Sequence, residues 1–352
     1  MMRRIIRPAV VLAAVAGVLA GSVLAIAESR PPGRHAPAPK DGRQAVLAAF
    51  DEYRVVGLMS PVVGSFAFDL VADRGFPDKV DDIVVECGNA LYQPVLDRYI
   101  AGEDVPLAEV RHVWRDTTQP SCGYSSFYET LLALVRRVNE TLPPAKKLRV
   151  LAADPPVDWA TVRDPRDLEP FRARDPHIAS VVRTEVLAKN RKALLLFGLR
   201  HLMHGDGDNA VALYEKDYPG ATYVVAYHRR FEKDNEALEA RLASWPVPSL
   251  LPIKGTWLGD LDATSFPLDS YQPAPGERGY PGVDAYLYLG RRDVLLREHL
   301  SARTVLDEDY LAELNRRADL KGMPADGPMR PAAVLRREAE AGVLLYDPGR
   351  PR

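Results

Sequence analysis

Ala193–His204 reads ALLLFGLRHLMH: five apolar residues, a glycine, and a histidine three positions on. A run of this kind shows no alternation of apolar and polar residues. It is too short for a stable isolated helix, and it fits a strand covered on both faces. Such strands belong to parallel sheets flanked by helices, where ligands gather beyond the carboxyl ends. Four other short apolar runs repeat the pattern, at Arg54–Met59, Asp82–Glu86, Leu148–Ala152 and Thr222–Tyr227, and helical spacing fills the segments between them. Their alternation predicts an α/β fold with a mostly parallel central sheet flanked by helices.

The chain ends differ from this middle. Arg3, Arg4 and Arg7 precede an uncharged stretch, Pro8–Ala27, that closes on Ala25-Ile26-Ala27. This is a signal-peptide pattern over residues 1–27, and an uncleaved N-terminal anchor is the alternative. Both place the body outside the cytoplasm, with membrane contact only through the N-terminal segment if it is uncleaved. Residues 28–40 form a Pro-rich linker. The α/β core is expected over 41–246. A C-terminal extension over 247–322 holds an irregular Pro- and Gly-rich stretch, a late strand at Asp284–Leu289 and a helix at Tyr310–Ala318. Residues 323–352 form a tail.

With a net charge of −2 and no basic run interleaved with aromatics, nucleic acid is not an expected partner. A small molecule or a peptide is the expected substrate. The two cysteines, Cys87 and Cys122, either pair in an oxidising compartment or stay separate as buried thiols.

The chemistry-bearing residues cluster at predicted strand ends. His201 follows Gly198, which is expected to let the backbone turn. Glu86 follows Ile83-Val84-Val85, and a carboxylate leaving a buried strand must reach a cleft or a cation. Arg174 and Arg200 are the candidate partners. Asp154 ends the third strand. Asp175 reads as a helix N-cap ahead of Pro176. Glu86, His201, Arg174 and Asp154 are therefore the catalytic candidates, and His204, Arg200 and Asn89 the candidates for binding a ligand. His201 and Glu86 are also the candidates for holding a metal. The chain lacks a G-x-S-x-G elbow, a Walker loop, a dinucleotide fingerprint and an H-E-x-x-H motif.

Val85-Glu86, Arg174-Asp175 and Gly198-Leu199-Arg200-His201, in that order, resemble the Tiki/ChaN/erythromycin-esterase-like superfamily. The resemblance spans most of residues 54–228. It implies an α/β core with a site at the strand ends, Glu86 and His201 in that site, and Arg174 orienting or polarising the substrate. Members include metal-dependent proteases, a macrolide esterase and haem-binding lipoproteins, so the cofactor it implies is a divalent metal or haem. The first-strand G-E-x-H motif of that superfamily is degenerate here, with Met59, Ser60 and Val62 in place of Gly, Glu and the second His. Val62 neither ligates a metal nor moves a proton. His204 and His228 are the candidates to compensate. Three expectations follow. One is an extracytoplasmic hydrolase acting on an ester or amide, with His201 as general base or metal ligand and its activity reduced or lost. Another is a non-catalytic envelope protein binding haem or a small ligand. The third is an inactive structural module.

Overall fold

The computed structural model describes residues 37–60, 66–205, 207–227, 236–263, 276–290, 306–325 and a few positions around 304–334. The signal-peptide segment, Val62, His228 and most of the tail lie outside the described residues.

In chain order the elements are β1 (Lys40–Asp41), α1 (Gly42–Ala49), β2 (Val55–Met59), α2 (Phe66–Val71), α3 (Phe76–Lys79), β3 (Asp82–Asn89), α4 (Gln93–Ala101), α5 (Leu107–Arg115), α6 (Phe127–Glu140) and β4 (Arg149–Asp154). They continue with α7 (Arg174–Val181), β5 (Ala193–Phe197), α8 (Ala210–Glu215), β6 (Thr222–Tyr227), α9 (Glu236–Leu242), β7 (Ser249–Pro252), β8 (Ala285–Tyr288) and α10 (Glu308–Leu320). The sheet order is β1-β7-β8-β6-β2-β5-β3-β4. All contacts among β2, β3, β4, β5, β6 and β8 are parallel, and β7 pairs antiparallel with both of its neighbours. This is the α/β architecture the apolar runs predict. The late strand at Asp284–Leu289 is β8, which adds to the main sheet beside β6.

The centre is dry. Leu194, Leu195, Leu196 and Phe197 of β5 are fully buried, as are Val55, Val56 and Leu58 of β2 beside it. Each such side chain contributes about 1.5–3 kcal/mol relative to exposure. Because β5 is flanked by β2 and β3, its C-terminal end opens at the middle of the sheet edge rather than at a corner. That position places a polar residue following β5 among the ends of several strands.

A register shift and a disulfide shape that edge. The register of β3 against β4 shifts between Val85 and Asn89. Gly88 lies in the shifted stretch, where a Cβ would stand 2.8 Å from the Ala152 Cα and 2.8 Å from Val85 Cγ2. A backbone atom cannot rotate away, so Gly88→Ala is expected to cost about 1–3 kcal/mol by overpacking. Chemical denaturation checks this, and an unchanged midpoint would show that β4 shifts without penalty. Cys87, one residue earlier, is disulfide-bonded to Cys122 and ties the strand to the 3-10 turn Pro120–Tyr124.

The other edge strand, β4, is closed by a side chain. Gln93 donates from Nε2 to the Val150 carbonyl at 2.8 Å and accepts from the Ala152 N–H at 2.7 Å.

Candidate active site

β5, β3 and β4 are consecutive in the sheet, and their ends deliver the site. Glu86 Oε2 accepts the Gly198 N–H at 2.5 Å. The backbone of Gly198 is ordinary, with φ −57°, so the sharp turn expected there is not what this position needs. What it needs is room, since a Cβ would lie 3.2 Å from Glu86 Oε2. The chain then winds through a 3-10 turn, Leu199–His201, which carries the imidazole back over the strand ends.

His201 is 3% exposed and held from both sides. Nδ1 lies 2.7 Å from Asp175 Oδ1, and Nε2 lies 3.3 Å from Glu86 Oε1. Burial alone lowers its pKa, but Asp175 and Glu86 outweigh burial and raise it to about 9. Burial pushes Glu86 the other way, upward. His201, Arg174 and the Gly198 N–H nevertheless hold it down at about 2. At neutral pH the pair is a carboxylate beside an imidazolium.

Arg174 joins this pair to the third strand. Nε donates to Asp154 Oδ1 at 2.8 Å, while Nη1 and Nη2 reach Glu86 Oε1 at 3.3 and 3.2 Å. Asp154 is fully buried at the end of β4. The Thr118 hydroxyl donates to its Oδ1 at 2.8 Å, and the Thr118 N–H donates to Oδ2. Burial works against the charge of Arg174, and the two carboxylates more than offset it, raising its pKa.

The four catalytic candidates, Glu86, His201, Arg174 and Asp154, therefore meet in one hydrogen-bonded array. Other assignments need correction. The N-cap of α7 is Ala173, and Asp175 lies inside the first turn. Instead of capping its own helix, Asp175 holds His201 and accepts the first N–H of α8, from Ala210, at 2.8 Å. Arg200 is exposed, and the cation on Glu86 is Arg174. Asn89 is a buried brace: its amide donates to the carbonyls of Asp116 and Val157, and its Oδ1 accepts the Leu91 N–H. His204 belongs to a separate cluster, between Glu215 at 2.8 Å and Asp284 at 2.9 Å. Burial lowers its pKa, but the two carboxylates raise it to about 10. It ties the loop after β5 to the start of β8. Ser60, at the degenerate first-strand motif, is buried and donates its N–H to Phe197 at 2.7 Å.

Metal and haem find poor ligands in these groups. Glu86 and Asp154 already share a guanidinium, and each ring nitrogen of His201 and of His204 faces a carboxylate. Among the described residues no group of three or more His, Cys, Asp and Glu side chains is placed to hold a metal ion. His201 and Glu86, the metal candidates, meet a cation that the chain itself supplies.

No family model matches the sequence, and no curated protein matches it. Two solved structures are similar. A Bacillus cereus protein is 10% identical over 72% of this chain and 95% of that one, with a TM-score of 0.43. ChaN of Campylobacter jejuni, solved with cofacial heme binding, is 11% identical over 54% of this chain and 87% of that one, with a TM-score of 0.32. At these TM-scores neither likeness bears on function, and the functional reading rests on the side chains.

Thr118 and Asp175 complete the array without having been singled out as members. Thr118 has no periodic or motif signature and arrives through a loop. Asp175 carries a signal, its adjacency to Arg174, but a local one that also suits a helix start.

Proposed function

We propose that the chain is an extracytoplasmic hydrolase acting on an ester or amide by acid–base chemistry at Glu86 and His201. The supporting observation is their contact at 3.3 Å combined with opposite displacements of their ionisation, to about 2 and about 9. Environments that push two titratable groups apart assign the acid and the base. On this reading the assignment reverses the sequence expectation for His201. The imidazolium is the proton donor to the leaving group, and Glu86 is the carboxylate that orients and deprotonates water. Asp175 is a positioning residue that fixes the imidazole. Arg174 stabilises negative charge developing on the carbonyl oxygen, while Asp154, itself held by Thr118, holds Arg174. The Cys87–Cys122 disulfide and the signal-like N-terminal segment support a location outside the cytoplasm.

The test is a pH–rate profile on whichever members of a p-nitrophenyl ester and anilide panel the protein turns over. With His201 as acid, kcat/KM holds across neutral pH and falls above about pH 9. A rate that climbs to a plateau above that pH would make His201 the base. No turnover across the panel would remove the hydrolytic reading.

A further inference from the structure

Glu86 leaves β3 where the sheet stops holding the backbone. β3 pairs with both β4 and β5 from Asp82 to Val85, and its pairing with β4 resumes only at Asn89, opposite Asp154. Glu86, Cys87 and Gly88 have no partner in either register. The covalent hold on this stretch is the disulfide from Cys87 to Cys122, one residue from the proposed base.

Cys122 sits on firm ground. It is 3% exposed, and its N–H donates to the Gln119 carbonyl at 3.1 Å. The loop ahead of it is tied to α10, where Arg317 Nη2 meets Asp116 Oδ1 at 2.8 Å and the Lys321 ammonium donates to the Thr118 carbonyl. Thr118 in turn holds Asp154. The disulfide therefore lends the rigidity of this loop to an unpaired strand end. It also closes a ring that runs from Glu86 through Arg174, Asp154 and Thr118 to Cys122 and back through Cys87.

We propose that the Cys87–Cys122 disulfide is a positioning element of the site, and that a small dithiol opens it and displaces Glu86 from His201 while the fold stays intact. Cys87 is only partly buried, so it is the sulfur that a reductant reaches. A dithiol thiolate attacks Cys87 Sγ, the S–S bond breaks, and the Cys122 thiolate leaves and takes up a proton. The second thiol then frees Cys87, and the reductant departs as its own disulfide, having given up two electrons and two protons. The loop keeps its ties to α10, so the strand end is the part released. The effect on turnover rests on the hydrolytic reading; the displacement of Glu86 does not.

The test compares the full chain oxidised, reduced with dithiothreitol, and as the Cys87→Ser/Cys122→Ser variant. The imidazole of His201, which faces Asp175, Glu86 and Arg174, is titrated by NMR. Its midpoint, about 9 in the oxidised protein, is expected to fall by about one pH unit or more on reduction, as when a neighbouring opposite charge is lost. The double variant should match the reduced protein and ignore dithiothreitol, and reoxidation should restore the wild-type midpoint. Circular dichroism and cooperative unfolding should persist throughout, while kcat on any ester turned over falls about 10²-fold. An unmoved His201 midpoint, or loss of cooperative unfolding on reduction, would overturn the proposal. A lowered midpoint in a protein that hydrolyses no ester would keep the positioning role and remove the hydrolase. Turnover and midpoint both unchanged by reduction would do the reverse.

Discussion

Arg174→Ala is expected to lower the free energy of unfolding by about 3–5 kcal/mol, the cost of removing one partner from a buried ion pair. Asp154 is fully buried, and Glu86 is 15% exposed at its side chain. Losing the guanidinium leaves Asp154 with only the uncharged donors of Thr118, while Glu86 keeps the Gly198 N–H and the His201 imidazolium, so the loss falls mainly on the fully buried Asp154. Arg174→Lys restores the charge without the planar fork that serves two carboxylates at once, so it should recover only part of the loss. An Arg174→Ala/Asp154→Ala double variant should lose less than the sum of its parts, because the orphaned charge goes with its partner. Urea unfolding midpoints at constant m measure all three. Arg98→Ala provides the contrast: its pair with Glu103 is half exposed on both sides, and the expected change is under about 1 kcal/mol. A similarly small change for Arg174→Ala would mean that the two carboxylates are solvated.

The second large effect concerns the pair itself. Glu86→Gln and His201→Asn remove the proposed base and the proposed acid, and each should lower turnover about 10²–10⁴-fold with the fold retained by circular dichroism. Asp175→Asn should act through His201, moving the alkaline limb of the pH–rate profile toward lower pH, because one of the carboxylates that raise the imidazole is gone. The same groups set a stability window. The folded pKa of His201 lies above its ordinary value, so its contribution is complete below about pH 6.5 and is lost as pH rises through about 9. That displacement is worth of order 3 kcal/mol. The folded pKa of Glu86 lies below its ordinary value, so its contribution is present above about pH 4.5 and is lost as pH falls toward 2. Unfolding free energy should be highest between about pH 4.5 and 6.5 and decline above that window. His204, raised to about 10, adds to the alkaline decline, so His201→Asn should make the decline shallower by its own share, and an unchanged slope in that variant would assign the decline to His204 and other groups.

Much of the site was legible because it is built on strand ends. Glu86, Asp154 and His201 each follow an apolar run, and a polar residue at that position has few places to go but the sheet edge. Periodicity revealed the runs, and parallel topology brought their ends together. The rest depends on contacts that no local pattern encodes. Asp175 reads as a cap because its immediate neighbours suit a helix start, yet its partner is 26 residues away. His201 reads as a base because an unperturbed imidazole titrates near neutrality, but two carboxylates from different elements keep it protonated there. Asn89 and His204 carry site-like chemistry, and the fold uses it elsewhere, on carbonyls and on a loop clasp. Lys321 reaches Thr118 across 203 positions, a separation at which sequence pattern is silent.

The amide of Gln93 occupies two of the hydrogen-bonding groups of β4, the Val150 carbonyl and the Ala152 N–H. An open strand edge is a template on which other chains can assemble. This glutamine serves as a rung across the middle of that edge, where a neighbouring strand would otherwise have to pair. Its replacement by alanine would be felt less in the stability of one molecule than in how many molecules stay apart.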